Sequence, residues 1–217
     1  FRTEHLRDTW RKVVRRPLAV SAGIILAFYV FVAFLDSIHI ISRDLQSKQS
    51  SELVSVLDLV LWDLKTNVEK TYSAPLAYRS FSKETIYLKN GESVREFPRL
   101  LHGGVHLKEP ETNYLDDLIE LSLKGLSLGV LFWSILVGIS VVLISLYQRN
   151  FRCVVKTIIV GGSEIPWKTV LLTSAVLAIV LGVCFSFVPH YHILGTDKVG
   201  NDVLYQGIKS IRTGVLI

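Results

Sequence analysis

Four side chains in one short stretch are of the types that bind divalent metal ions. His102 and His106 stand four positions apart, and Glu109 and Glu111 follow closely. Imidazole nitrogens and carboxylate oxygens are common ligands of zinc and related ions. A spacing of four places two side chains on one helix face, but the intervening Gly103-Gly104 pair disfavours a helix. The pattern therefore favours ordinary loop histidines, and we predict no metal or other cofactor.

The remaining polar motifs do not predict an enzyme. Glu92 and Glu96 are typical of hairpin surface charge rather than of a catalytic acid pair. The run Gly161-Gly162-Ser163-Glu164 lacks the spacing of a phosphate-binding loop, and no G-x-S-x-G motif occurs. The Gly162-Ser163 pair instead predicts a turn and helix cap before Pro166. We therefore expect no catalysis and no ATP binding by this chain itself.

The motif segment, His192 to Leu204, combines glycines with short polar side chains. Gly195 and Gly200 permit tight turns. Thr196, Asp197 and Asp202 have side chains that can bond backbone amides and cap a following helix. Apolar residues then recur at helical spacing, which predicts an amphipathic helix along the membrane face: Val203, Leu204, Ile208 and Ile211.

The composition of the chain indicates a membrane protein, so membrane-spanning helices are expected to position the polar residues described above. Half of the 217 residues are hydrophobic, and the mean hydropathy is +0.41, too apolar for an ordinary soluble domain of this size. The two cysteines, Cys153 and Cys184, make neither a metal motif nor an expected disulfide. No methionine occurs, even at position 1, so we expect that the chain does not start at its own initiator.

Three apolar runs are long enough to cross a bilayer. We assign transmembrane helices to residues 18–41, 121–147 and 169–189. A cleaved signal peptide is the alternative for the first run, but Phe34-Leu35-Asp36-Ser37 offers no small-residue cleavage site. Gly125 and Gly129 in the second run form a small-xxx-small pair that permits close helix approach. The predicted fold is thus a mainly α membrane protein with three transmembrane helices and a small α+β extracytoplasmic insert.

Flanking charge predicts the orientation. By the positive-inside rule, residues 1–17 and the 148–168 loop are cytoplasmic, whereas residues 42–120 and 190–212 face outward. Because these basic residues adjoin spans, they indicate a lipid bilayer and no nucleic-acid partner. The topology determinants are Arg11, Lys12, Arg15, Arg16, Arg149 and Arg152.

The insert, residues 42–120, contains signals for both helices and strands. Ser50 or Ser51 is predicted to cap a helix that runs to about Lys70, because leucines and valines recur there at helical spacing. Residues 85–88 and 93–97 flank Asn90-Gly91, the signature of a tight β-hairpin turn. Thr112 or Asn113 is then expected to start the helix that enters the second span.

Placed after a third span, the motif segment resembles the H-P-L-G-T-D-x-x-G-R-D-V motif of permease subunits in peptide-type ABC importers. Among these importers, it resembles the dipeptide and oligopeptide permease C-like subunits. The departures are Ile193 for proline, Asn201 and Gln206 for arginines, and Ser210 for glycine. The matching positions are His192, Leu194, Gly195, Thr196, Asp197, Gly200, Asp202, Val203 and Leu204, with Arg212 at the arginine of the family's G-A-R.

The resemblance implies a multi-pass protein of the bacterial inner membrane that forms half of a transport channel. Its implied partners are a second permease subunit, two cytoplasmic ATPase subunits and an extracytoplasmic substrate-binding protein. The implied substrates are peptides or similar solutes. Family members have one span before the motif, and the extra pair here leaves the motif on the same side.

Residues 213–217 are expected to begin a transport-core helix. The E-A-A-x-x-x-G coupling loop of such permeases does not occur in these 217 residues, so we do not expect them to transport alone. The alternative function is a membrane-anchored sensor or assembly factor with an extracytoplasmic interaction domain.

Overall fold

The computed structural model describes residues 10–42, 52–87, 93–148, 158 and 166–217. There the chain is mainly helical, as predicted, and it contains two small two-stranded sheets. The elements in chain order are α1 (Pro17–Ser37), β1 (His39–Ser42), β2 (Glu52–Ser55), α2 (Val56–Val60), α3 (Trp62–Thr66), β3 (Glu84–Tyr87), β4 (Ser93–Glu96), α4 (Pro110–Gln148), α5 (Trp167–Phe187) and α6 (Val203–Leu216).

Three of these helices are long and apolar enough to cross a membrane. They are α1, α5 and the Pro110–Leu146 part of α4. At about 1.5 Å per residue, a helix of 21 residues such as α1 or α5 spans about 30 Å, the thickness of the hydrocarbon core. The prediction of three such helices is confirmed in length and composition.

The end of α1 differs from the prediction. The expected extension of the first helix to Ile41 is wrong, since α1 ends at Ser37 and the next residues form β1. β1 pairs antiparallel with β2, with Ile40 opposite Val54. The β-branched residues of both strands suit this pairing, which the sequence reasoning did not consider.

The helix predicted from Ser50 or Ser51 also begins later than expected. Residues 52–55 are β2, and α2 starts at Val56. Ser55 is the cap, because its Oγ accepts the Asp58 amide at 3.1 Å while Asp58 accepts the Ser55 amide at 3.3 Å. This reciprocal capping box satisfies two backbone donors at once. The helical spacing does hold over residues 56–66, as two short helices.

The β-hairpin is confirmed. β3 and β4 pair antiparallel, with Glu84 opposite Glu96 and Tyr87 opposite Ser93. α4 begins at Pro110, slightly before the predicted Thr112 or Asn113, because proline has no amide hydrogen to satisfy in a first turn.

Several predicted features lie outside the described residues. They are the Asn90-Gly91 turn, the Gly162-Ser163 cap, Cys153, Arg149 and Arg152.

The chain forms two compact units. The first comprises residues 1–28 and 123–183, and the second comprises residues 29–122 and 184–217. The second unit therefore joins the insert to the motif segment, although two long helices separate them along the chain. Its buried side chains include Leu57, Leu61 and Leu64 from the insert and Tyr191 beside the motif segment.

Within the first unit, α4 and α5 approach through glycines. A Cβ atom on Gly182 would lie 2.6 Å from the Gly125 carbonyl oxygen and 2.6 Å from the Gly129 nitrogen. One on Gly129 would lie 2.8 Å from the Ala178 carbonyl oxygen. The Gly125/Gly129 pair therefore permits backbone-to-backbone packing, as its spacing indicated.

We predict that Gly182→Ala separates these helices and costs roughly 1–3 kcal/mol, the usual cost of overpacking. Gly138→Ala is the matched control, because nothing lies within 4 Å of its added Cβ. Alanine also has the higher helix propensity, so the control variant should be neutral or slightly stabilised. Thermal unfolding in detergent checks this, and equal midpoints for both variants would contradict the packing.

Candidate functional site

The motif segment is organised around a buried histidine between two carboxylates. His192 is only 3% exposed. Its Nδ1 lies 2.8 Å from Oδ2 of Asp202, and its Nε2 lies 3.5 Å from Oε1 of Glu69. Asp202 belongs to the motif, whereas Glu69 belongs to the insert. The imidazole thus links two distant parts of the chain.

Glu69 is held by backbone donors as well as by His192. Its carboxylate oxygens accept the amide hydrogens of Leu101 and His102, each at 2.7 Å, and of Gly103 at 3.1 Å. Burial alone would raise the pKa of Glu69, but His192 and these amides lower it to about 2. The Glu69 side chain therefore carries a fixed negative charge and orders the glycine turn around it.

The same arrangement keeps His192 protonated. Burial alone would lower its pKa, but the hydrogen bond with Asp202 and the negative charges of Asp202 and Glu69 raise the pKa to about 9. Because both ring nitrogens face carboxylates, neither is free to deprotonate a nucleophile. The cluster is therefore a buried ionic link rather than a catalytic base.

Two motif glycines allow the motif segment to lie against the insert. Gly200 has φ +87°, and a Cβ there would overlap the Glu69 carbonyl oxygen. Gly195 has φ +76°, and a Cβ there would overlap the Ser73 carbonyl oxygen. The Glu69 amide donates to the Gly200 carbonyl at 2.9 Å. Only glycine combines these backbone angles with such close approach.

Thr196 forms hydrogen bonds with the insert that the sequence did not predict. Its buried hydroxyl donates to the Thr71 carbonyl at 2.8 Å and lies 3.1 Å from the Ser73 hydroxyl. The expectation that it bonds backbone amides is therefore wrong, since it donates to a carbonyl.

Leu194, also a motif position, is 51% exposed.

Asp197 and Asp202 have separate roles. Asp197 closes the turn, because its Oδ1 accepts the amides of Val199 at 2.9 Å and Asn201 at 2.8 Å. Gln206 donates to its other oxygen at 2.6 Å, and these bonds lower the pKa of Asp197. Asp202 caps α6 by accepting the Tyr205 amide at 3.1 Å. The predicted cap and helix are thus confirmed, with Asp202 as the N-cap.

A second ionic network attaches α6 to the end of α1. Nζ of Lys209 lies 2.8 Å from both Asp36 and Asp58, whose side chains are buried. The Tyr205 hydroxyl also donates to Asp58, at 2.9 Å. Arg212, the last position of the family resemblance, lies 3.7 Å from Asp36. Burial would raise the pKa of Asp58, but these donors lower it to about 2.

The histidines considered as metal ligands have other surroundings. His102 and His106 lie in a turn, as Gly103-Gly104 predicted. His106 Nε2 is 2.9 Å from Asp117 Oδ2, which also accepts the Tyr191 hydroxyl at 2.7 Å. Among the residues that the structure describes, no group of three or more histidine, cysteine, aspartate or glutamate side chains is arranged to hold a metal ion.

The structure brings the polar motif positions together, but sequence reasoning did not identify the charged residues that contact them and α6. Glu69, Asp36, Asp58 and Lys209 had no place in any recognised motif. One signal was available for Asp36, which ends a long apolar run and therefore needs a counter-charge. Nothing in the sequence pairs Glu69 with His192, because they lie far apart along the chain.

No protein-family model, curated protein or solved structure matches the chain.

We predict that the His192 link weakens in alkaline solution. A histidine whose folded pKa is raised contributes its full stability below about pH 6.5, and this contribution is lost as the pH rises through about 9. The free energy of unfolding should therefore fall between pH 7 and 9.5 in the parent protein. It should fall less in His192→Gln, which has no proton to lose.

Urea unfolding in detergent at several pH values measures this difference. Glu69→Gln should itself cost roughly 3–5 kcal/mol at pH 7, because it removes one partner of a buried ion pair. The control Glu109→Gln changes an exposed carboxylate and should have little effect. Parallel pH profiles for the parent and His192→Gln would refute the ionic link.

We predict that Lys209→Gln destabilises the second unit by roughly 2–3 kcal/mol, since two buried carboxylates lose a charged donor. The matched control is Lys198→Gln, which alters an exposed lysine just before α6. Limited proteolysis of the insert reports the difference as faster cleavage in the first variant. Equal cleavage rates would show that the network does not hold α6.

Proposed function

We propose that this chain is the N-terminal part of a permease subunit of a peptide-type ABC importer. In this proposal it serves binding-protein-dependent uptake of peptides or similar solutes across the bacterial inner membrane. The N-terminus and the 148–168 loop are cytoplasmic, and the insert and motif segment face outward. ATP is hydrolysed by separate partner subunits, and the permease contributes alternating access.

The observation that supports this proposal is the mutual dependence of the matched positions. A capped surface helix of any origin needs only Asp202. Here His192 bonds Asp202, while Gly200 admits the backbone of Glu69. Thr196 bonds the insert on the other side. Because these four residue types are required by their contacts, their joint occurrence directly after a membrane-length helix is better explained by a shared motif than by composition.

The contacts suggest a mechanical role for the motif segment in transport. Two ionic networks with buried carboxylates join the motif segment to the insert and join α6 to the end of α1. Movement of the helix that follows the motif would therefore be transmitted to the insert as one body. In the proposed transporter this couples inward and outward opening to the surface that meets the binding protein.

A second candidate is a membrane-anchored sensor or assembly factor. The insert presents an open cleft lined by the basic side chains of Arg79, Lys83, Arg95 and Arg99 and by the carboxylates of Glu96 and Glu111. A charged cleft of this kind suits recognition of an acidic protein surface. In this alternative the insert is the functional part and no ATPase is needed.

Co-purification of the full-length protein tests the main proposal. When it is tagged and extracted from its native host in mild detergent, we expect it to retain a second permease and an ATPase with a phosphate-binding loop. The complex should hydrolyse ATP. Gly200→Ala should lower the amount of ATPase that is recovered with the protein. Gly207→Ala should not, because nothing lies within 4 Å of its added Cβ.

Two results would count against a transporter. One is recovery of the protein without any ATPase, and the other is a gene neighbourhood that lacks ATPase and binding-protein genes. Retention of an acidic protein through the Arg79–Arg99 cleft alone would instead support the sensor or assembly factor. Charge reversal at Arg95, an exposed cleft residue, would then abolish that retention.

A further inference from the structure

Helices α2 and α3 bury one side and also expose three large apolar side chains. Leu57, Leu61 and Leu64 face the core of the second unit and are at most 6% exposed. The exposed apolar residues form the apolar ridge, which consists of Leu59, Val60 and Trp62, exposed by 48%, 50% and 50%. Helices of soluble domains usually present charged or polar residues at exposed positions. The ridge therefore suits a partly apolar environment.

The ridge lies beside the end of α1. The Val56 amide at the start of α2 donates to the Ile38 carbonyl at 2.9 Å, and Ile38 directly follows α1. Asp58 shares Lys209 with Asp36, which lies in the last turn of α1. These two connections place α2 at the level where the apolar helix ends.

That level is where a spanning helix leaves the hydrocarbon core of a bilayer. Tryptophan is enriched there because its ring is apolar while its N–H remains hydrated. Helices with an exposed apolar face bind at this boundary in the membrane plane. The exposed Asp63 next to Trp62 remains compatible, since a carboxylate stays hydrated among headgroups.

We propose that the apolar ridge is an interfacial anchor whose partner is the phospholipid at the leaflet where α1 ends. Leu59 and Val60 contact the upper acyl chains, and Trp62 lies among the glycerol and headgroup atoms. The anchor holds the insert against the membrane surface and limits its tilt. This proposal requires that α1 crosses a membrane, and it is independent of whether the protein transports anything.

Depth-dependent quenching of Trp62 tests the proposal. The full chain carries Trp10→Phe, Trp133→Phe and Trp167→Phe, so that Trp62 is its only tryptophan, and is reconstituted in phosphatidylcholine vesicles. Lipids with a nitroxide near the headgroup should quench Trp62 strongly, and lipids with a deep acyl-chain nitroxide should quench it weakly. Water-soluble acrylamide should quench it less than it quenches a fully hydrated tryptophan.

Two matched variants calibrate the result. A chain that retains only Trp133 should respond most to the deep quencher. A chain without native tryptophans but with Phe81→Trp places an indole at a site that is 72% exposed on the insert and should respond to acrylamide alone. If substitution perturbs folding, the parent protein and Trp62→Phe are compared, and the fluorescence lost should be the headgroup-quenched part.

The proposal is overturned if Trp62 behaves like the Phe81→Trp reporter, since the ridge would then be in water. It is also overturned if neither lipid nitroxides nor acrylamide reach Trp62, since a protein surface would then cover it. Preferential quenching by the deep nitroxide would place the ridge inside the hydrocarbon and would equally contradict an interfacial anchor.

Discussion

The protonated imidazole of His192, enclosed by the carboxylates of Asp202 and Glu69, is the interaction on which the second unit depends. Asp202 is also the N-cap of α6, so the imidazole sets where that helix starts. Glu69 also orders the glycine turn that begins after Leu100. A buried charge without its partner costs far more than the pair contributes. The arrangement therefore specifies one register between two chain segments and rejects others.

The second network repeats this chemistry with a different cation. Lys209 lies between Asp36 and Asp58 as His192 lies between Asp202 and Glu69. In both networks, α6 or its cap supplies one charged residue, and an earlier part of the chain supplies a charged residue on the other side. Charged contacts are directional, so they fix the orientation of α6 more narrowly than its moderately buried apolar residues do. A helix held in this way moves with its supports or not at all.

Sequence patterns over short distances predicted most of the helices and the hairpin, but they did not predict which distant residues pair with one another. Runs of apolar residues were enough to predict α1, α4 and α5, and the Asn90-Gly91 pair was enough for the hairpin. The motif spacing correctly predicted α6 and its cap. The strand β1 was missed because an apolar residue such as Ile40 fits a helix end and a strand equally well. Glu69 was missed because its partner is distant along the chain, and a single sequence without aligned homologues offers no signal for such pairs.

The second unit consists of two chain segments that are far apart in the sequence. This separation constrains the order in which the unit can fold during synthesis. A ribosome makes Glu69 well before His192, and α4 and α5 are synthesised between them. Until the third long helix is complete, the Glu69 carboxylate lacks its cation and Gly200 is not yet there to receive its backbone. The contacts of the insert therefore remain incomplete until the motif segment has been synthesised. A nascent chain arrested between these helices would therefore hold the Glu69 carboxylate without the His192 cation.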